Sequence, residues 1–154
     1  MTYGEKTLDL LAHEARREHG ELHELLSATR SKFAECILAP AEEKTGCIVK
    51  TLDKLRGHVA EHFAREEAGG WLEEAIIRAP HLAHAATELE HEHKPLLERA
   101  DRLLLNARGM SLQSEELERV RAEYEEFTAA LLHHEAREER LLEKGFNEDL
   151  GLNG

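Results

Sequence analysis

The chain has 154 residues, 41% hydrophobic and 34% charged, with a net charge of −12, which fits one soluble domain with a single core. That acidity, with no Lys/Arg cluster to offset it, excludes nucleic acid and anionic membrane surfaces as partners. No apolar run approaches the roughly 18 residues of a membrane span and the N-terminus has no apolar leader segment, so a cytoplasmic protein is expected.

Aromatic residues are only 5%, so strand signals are thin and all-α is the favoured class. Leu8, Leu11, Ala15, Leu22, Leu26, Phe33 and Ile37 recur at three- and four-residue spacing and predict a first helix from about Glu5 to Ile37. Residues 38–46, carrying Pro40 and Gly46, read as the first turn region. A second helix follows to about Glu67, with Ile48, Leu52, Leu55, Val59, His62 and Phe63 inward, and Gly69-Gly70 ends it.

Trp71 to Arg78 reads as a short helical connector, and Pro80 suits the first turn of the third long helix. That helix runs to about Arg108 with Leu82, Ala86, Leu89, His93, Leu96, Ala100 and Leu103 inward; Pro95 inside it predicts a bend. Gly109 to Gln113 is the last turn. The fourth long helix runs to about Lys144, where Gly145 stops it, and the rest is a short tail. Four long helices with short connections predict an up-down-up-down four-helix bundle, a single domain over residues 1–154.

One motif occurs twice. His62-Phe-Ala-Arg-Glu66-Glu67 returns as His134-Glu-Ala-Arg-Glu138-Glu139, and Glu18-His19-Gly-Glu-Leu22 is echoed by Glu92-His93-Lys-Pro-Leu96. Residues four apart lie on one helix face, so each HxxxE aims an imidazole and a carboxylate at one point. At about 1.5 Å per residue, His19 and His62 both stand roughly 22 to 26 Å from the first turn region, and His93 and His134 match about the last turn. Four helices can thus deliver four histidines and two glutamates to one place.

A lone HxxxE is often only a helix-face pair worth a few tenths of a kcal/mol. Here the apolar phase turns all four repeated motifs toward the core. Four such groups buried without partners would cost roughly 8 to 20 kcal/mol, as much as or more than the typical net stability of about 5 to 15 kcal/mol. Metal coordination removes that cost. The predicted metal ligands are His19, His62, Glu66, His93, His134 and Glu138. Four neutral donors with two carboxylates able to bridge suit a pair of irons with open positions.

His23 and His58 stand one turn from His19 and His62 and could add ligands or outer hydrogen bonds. His133 points toward a helix edge, and His13, His81, His84 and His91 are expected at the surface. Glu67 and Glu139 are expected in solvated or outer contacts rather than on the metal. Cys36 and Cys47 flank the first turn region and could lie near each other; the favoured reading is two ordinary cytosolic thiols, the alternative a redox-sensing pair.

With these residues the chain resembles the hemerythrin-like (HHE cation-binding) family over nearly its whole length. The family pattern of a His, an HxxxE, a His and a further HxxxE maps onto His19, His62 with Glu66, His93, and His134 with Glu138. The resemblance implies a non-haem di-iron centre with bridging carboxylates and an oxo or hydroxo bridge. Oxygen-carrying members have a fifth His four residues before the third-helix His, where this chain has Leu89; the four-His, two-Glu set is closer to the iron-sulfur-cluster repair proteins.

The expected function is a cytoplasmic di-iron protein that binds or senses dioxygen, nitric oxide or peroxide, or handles iron under oxidative or nitrosative stress. An enzymatic version, a peroxidase or nitric oxide reductase, needs an electron source and a proton donor that no motif identifies. The alternative is a zinc-stabilised or metal-storing bundle without redox function, suggested by the His19/His23 and His58/His62 spacings.

Overall fold

Each apolar stripe read from the sequence becomes one long helix in the computed structural model, which describes residues 8–111 and 114–148. In chain order these are α1 (Leu8–Ile37), α2 (Ala41–Glu67), the short α3 (Trp71–Arg78), α4 (Pro80–Arg108) and α5 (Ser114–Glu148). The described residues contain no strand, and none of their helices is long and apolar enough to cross a membrane. The chain is an all-α helical bundle.

The boundaries depart from expectation at the glycines. α2 begins at Ala41, ahead of Gly46, because the Pro40 carbonyl accepts the Glu43 and Lys44 N–H groups at 2.9 and 3.0 Å. Glu42 and Glu43 in the first turn favour that end of the helix dipole. Gly46 is then an interior helical residue, at a cost of about 1 kcal/mol against alanine. Gly145 likewise does not stop α5, which continues to Glu148. α4 is unbroken through Pro95, which sits on its exposed side. The predicted start at Glu5 and the tail beyond Glu148 lie outside the described residues.

Gly69 and Gly70 do end α2. Gly69 adopts φ 72°, in the left-handed region, and a Cβ on Gly70 would lie 2.1 Å from the Arg65 carbonyl oxygen. Only glycine fits that approach. The turn seats Gly70 as the cap of α3, its carbonyl accepting the Glu74 N–H at 3.1 Å.

Among the described residues the contacts divide into two units, to each of which every long helix contributes a segment: residues 8–21, 61–93 and 132–148 in the first, residues 22–60, 94–111 and 114–131 in the second. In the second unit the interior is apolar, with Ile48, Leu55, Val59, Phe127 and Leu131 almost wholly buried and Phe33 stacked on Tyr124 at 4.7 Å. Helix directions alternate there. Arg56–Asp101 at 2.8 Å with Arg108–Asp53 at 3.8 Å runs α2 against α4, and Asn106–Glu123 at 2.9 Å with Arg99–Glu126 at 3.9 Å runs α4 against α5.

The three-residue connection after Ile37 reverses α1 into α2 and brings Cys36 and Cys47 together as a disulfide, with Cα atoms 5.5 Å apart. This corrects the reading of two independent thiols. Their separation of 11 residues spans a turn tight enough to face one cysteine with the other, which spacing alone left open.

In the first unit, α3 closes an apolar cluster in which Trp71 and Leu72 meet Leu11 and Ala15 of α1, Leu82 and Leu89 of α4, and Leu142 of α5. The remaining interior of this unit is polar apart from Phe63, and it holds the repeated motifs.

Candidate metal centre

All six predicted ligands are buried in the first unit: His19 is 3% exposed, His62 2%, Glu66 1%, His93 3%, His134 1% and Glu138 0%. They come from all four long helices and, joined by Glu135, form two adjoining groups. One is His19, His62, Glu66, Glu135 and Glu138; the other is Glu66, His93, His134 and Glu138, with the donor atoms of each group within 4.8 Å of one another. Glu66 and Glu138 belong to both. Glu66 spans the two groups with its separate oxygens, Oε2 lying 3.4 Å from His19 Nε2 and Oε1 lying 3.2 Å from His93 Nε2.

The donor spacing fits metal coordination. Atoms about 2.1 Å from one metal lie about 3.0 Å apart at right angles and about 3.4 Å apart in a tetrahedron. The imidazole-carboxylate separations here are 3.1 Å for His19–Glu135, 3.1 Å for His62–Glu135, 3.5 Å for His62–Glu66 and 3.3 Å for His134–Glu138.

Several of these atoms are close yet misaligned for hydrogen bonding. Glu66 Oε1, His93 Nε2, His134 Nε2, Glu135 Oε2 and both Glu138 oxygens are buried with no hydrogen-bond partner. Buried orphans cost about 1–3 kcal/mol each, and the donor atoms lie close enough together that a cation held between them would satisfy several at once.

Three of the four outer ring nitrogens are fixed by a second set of carboxylates. Nδ1 of His19 lies 2.7 Å from Glu139, Nδ1 of His93 lies 3.0 Å from Glu67, and Nδ1 of His134 lies 3.0 Å from Glu92. Each pairing directs Nε2 inward and raises the basicity of the ring as a ligand. Glu67 and Glu139 thus take the outer positions expected of them. The repeated arginines complete the pattern: Arg65 bonds Glu18 at 3.1 Å and Arg137 bonds Glu92 at 2.5 Å, so each EH glutamate is clamped by the following HxxRE arginine.

Trp71, delivered by the Gly69-Gly70 turn, donates its indole N–H to Glu66 Oε2 at 3.1 Å. Phe63 covers the other side, stacked on His93 at 3.9 Å and edge-on to His134 at 5.6 Å.

The charges of the metal-free cluster balance internally. Burial opposes ionisation of His19, but Glu66, Glu135 and Glu139 overcome it and raise its pKa to about 9. His62 and His93 are likewise raised against their burial, by Glu135 and Glu66 for the one and by Glu66 and Glu67 for the other. Burial would raise Glu66, yet His19, His93 and His62 hold it well below the usual carboxylate range. Glu138 goes the other way, pushed well above that range by burial and by the Glu66 and Glu135 carboxylates. Protons on imidazoles and on one carboxyl do here what a cation's charge would do.

Glu135, 1% exposed, is the donor that the motif reading missed. It is adjacent to His134, and the HxxxE pattern looks past it to Glu138. The signal was the one mismatch within the repeated core, where Phe63 in the first copy is replaced by Glu135 in the second. His23 and His58 are exposed and are absent from both donor groups. Their side chains point away from the packed interior, so neither supplies the extra ligand considered for it. His13, His81, His84, His91 and His133 are exposed, as expected.

No family model, curated protein or solved structure matches the chain. The functional reading therefore stands on the site itself.

Proposed function

We propose that the protein is a hemerythrin-like di-iron binding protein whose iron pair binds or senses dioxygen, nitric oxide or peroxide, or handles iron under oxidative or nitrosative stress. The observation that carries this reading is the pair of adjoining buried donor groups sharing Glu66 and Glu138, with orphaned lone pairs between them. Four imidazoles with three carboxylates match irons better than a structural zinc site, which takes four donors and favours thiolates and imidazoles. The zinc alternative also loses its motivating pairs, because His23 and His58 are exposed.

When bound, an iron pair supplies electrons and vacant coordination positions for a small oxidant. The chain's own residues do the rest. His19, His93 and His134 present Nε2 inward under the hold of Glu139, Glu67 and Glu92, and His62 sets its Nε2 against Glu135. Glu66 and Glu138, shared by both donor groups, would hold both metals, Trp71 fixes one Glu66 oxygen, and Phe63 and Leu89 keep apolar surface around the His93 end. Leu89 stands where oxygen carriers have a further His, which favours sensing or iron handling over reversible carriage.

A cytoplasmic setting belongs to the same reading; there the Cys36–Cys47 pair would be open under reducing conditions and closed by oxidant. The test is metal analysis with an absorption spectrum on protein from iron-supplied cells. Two irons per chain and the near-ultraviolet bands of a bridged ferric pair are expected, both lost in His62→Ala/His134→Ala. Colourless protein holding zinc, or a double variant with an unchanged bridged-iron spectrum, would sink the assignment.

A further inference from the structure

The two donor groups are not equivalent, although the sequence repeat that builds them is nearly regular. Around the shared Glu66 and Glu138, one end has His19, His62 and Glu135, whereas the other has only His93 and His134. The difference traces to one position of the repeat. In the second copy it is Glu135, whose Oε1 lies 3.1 Å from His62 Nε2 and whose Oε2 lies 3.1 Å from His19 Nε2. In the first copy it is Phe63, whose ring lies parallel to His93 at 3.9 Å. One end therefore receives a carboxylate where the other receives an apolar wall.

A buried third carboxylate needs a reason. Glu135 is 1% exposed and its Oε2 has no hydrogen-bond partner. It lies beside Glu66 and Glu138, and like charges in so little solvent repel strongly. Against two divalent ions, three carboxylates leave the cluster close to neutral, which a buried site favours.

Resting on the metal-centre reading above, we propose that Glu135 is a third carboxylate ligand that makes the two metal positions unequal. The His19/His62/Glu135 position, with five protein donors, fills first and holds its metal more tightly. The His93/His134 position, with four, is the exchangeable one and the one that takes an exogenous small ligand beside Phe63. The counts follow from the two donor groups, in which only Glu66 and Glu138 are shared.

The test is a Co(II) titration of the full chain at fixed pH, followed by visible absorption, whose band intensity reports coordination number, and by calorimetry. Wild-type protein is expected to take up Co(II) in two resolved steps with different spectra, the second step alone changing when azide is added. Glu135→Gln preserves side-chain size and should weaken the first step at least about tenfold, merging it with the second. His93→Ala should abolish the second step and its azide response while leaving the first intact.

Retention of both wild-type steps in a Glu135→Gln protein with native helicity would overturn the proposal, as would loss of the tighter step in His93→Ala. If the Gln variant does not fold, the wild-type and His93→Ala titrations decide the order of filling. Two identical steps in the wild type would leave the metal-centre reading standing and remove only the asymmetry. Wild-type protein that takes up no metal would remove both.

Discussion

The two units solve the problem of a helical interior in opposite ways. Residues 22–60 and 94–131 surround Phe33, Ile48, Leu55, Phe127 and Leu131 with other apolar groups and add a disulfide. Residues 8–21, 61–93 and 132–148 bury four imidazoles and three carboxylates beside a smaller apolar cluster around Trp71 and Leu72. Burial of apolar area is favourable under nearly any condition, at about 25 cal/mol per Å². Burial of ionisable groups is favourable only with partners, and here the partners are each other's protons or a metal. One unit's apolar interior is therefore stable without metal, whereas the other's polar interior depends on metal and protons.

Chelation should give the largest break between them. A metal at a thousand times its dissociation constant stabilises by about 4 kcal/mol for each site, so stripping two metals should remove about 8 kcal/mol. Amide exchange of chelated protein should show protection falling in residues 61–67 and 132–144 while residues 48–59 and 120–131 keep theirs. A uniform loss across both units would end the contrast.

Phe127→Ala probes the apolar interior. Phe127 is 1% exposed, and truncating a buried phenylalanine costs about 3–5 kcal/mol. The penalty, read from denaturant melts, should be the same with metal and without. A penalty that depends on metal would mean that the two interiors are coupled.

Reducing the Cys36–Cys47 disulfide should cost about 3 kcal/mol, the loop-closure entropy of an 11-residue separation. Melting with and without reductant measures it. Metal stoichiometry should not change, since neither cysteine belongs to the donor groups.

The pH response of the polar interior has opposite signs without metal and with it. In metal-free protein His19 is raised from 6.5 to about 9, so its contribution is fully present below pH 6.5 and is lost as pH rises toward 9. That amounts to on the order of 3 kcal/mol. His62 and His93, raised as well, add loss in the same direction. The depressed Glu66 contributes above its unfolded value near 4.5 and does not oppose the loss in this window. Melts of chelated protein from pH 6 to 9 should therefore fall, whereas metal affinity over the same range should rise as protons leave the ligands. Flat stability of the chelated protein would contradict the charge arrangement described above.

Local pattern determined much of this protein. The three- and four-residue apolar spacing set four long helices and the connector Trp71–Arg78, and the two EHxxL and two HxxRE motifs named His19, His62, Glu66, His93, His134 and Glu138. A repeat on a helix face carries its own geometry, because residues four apart must share a direction. Gly46 and Gly145 misled for the converse reason: glycine lowers helix propensity by about 1 kcal/mol and does not by itself end a helix.

What tertiary structure alone decided depends on contacts between helices. Glu92 reaches His134 rather than its neighbour His93, Glu139 reaches His19, and Cys47 meets Cys36. Glu135 is the clearest case. One residue beyond His134 it is rotated about 100° around the helix axis, a direction the repeat cannot rank as inside or outside. Whether a carboxylate there meets solvent or His19 and His62 depends on which helices stand opposite, and that information is not local.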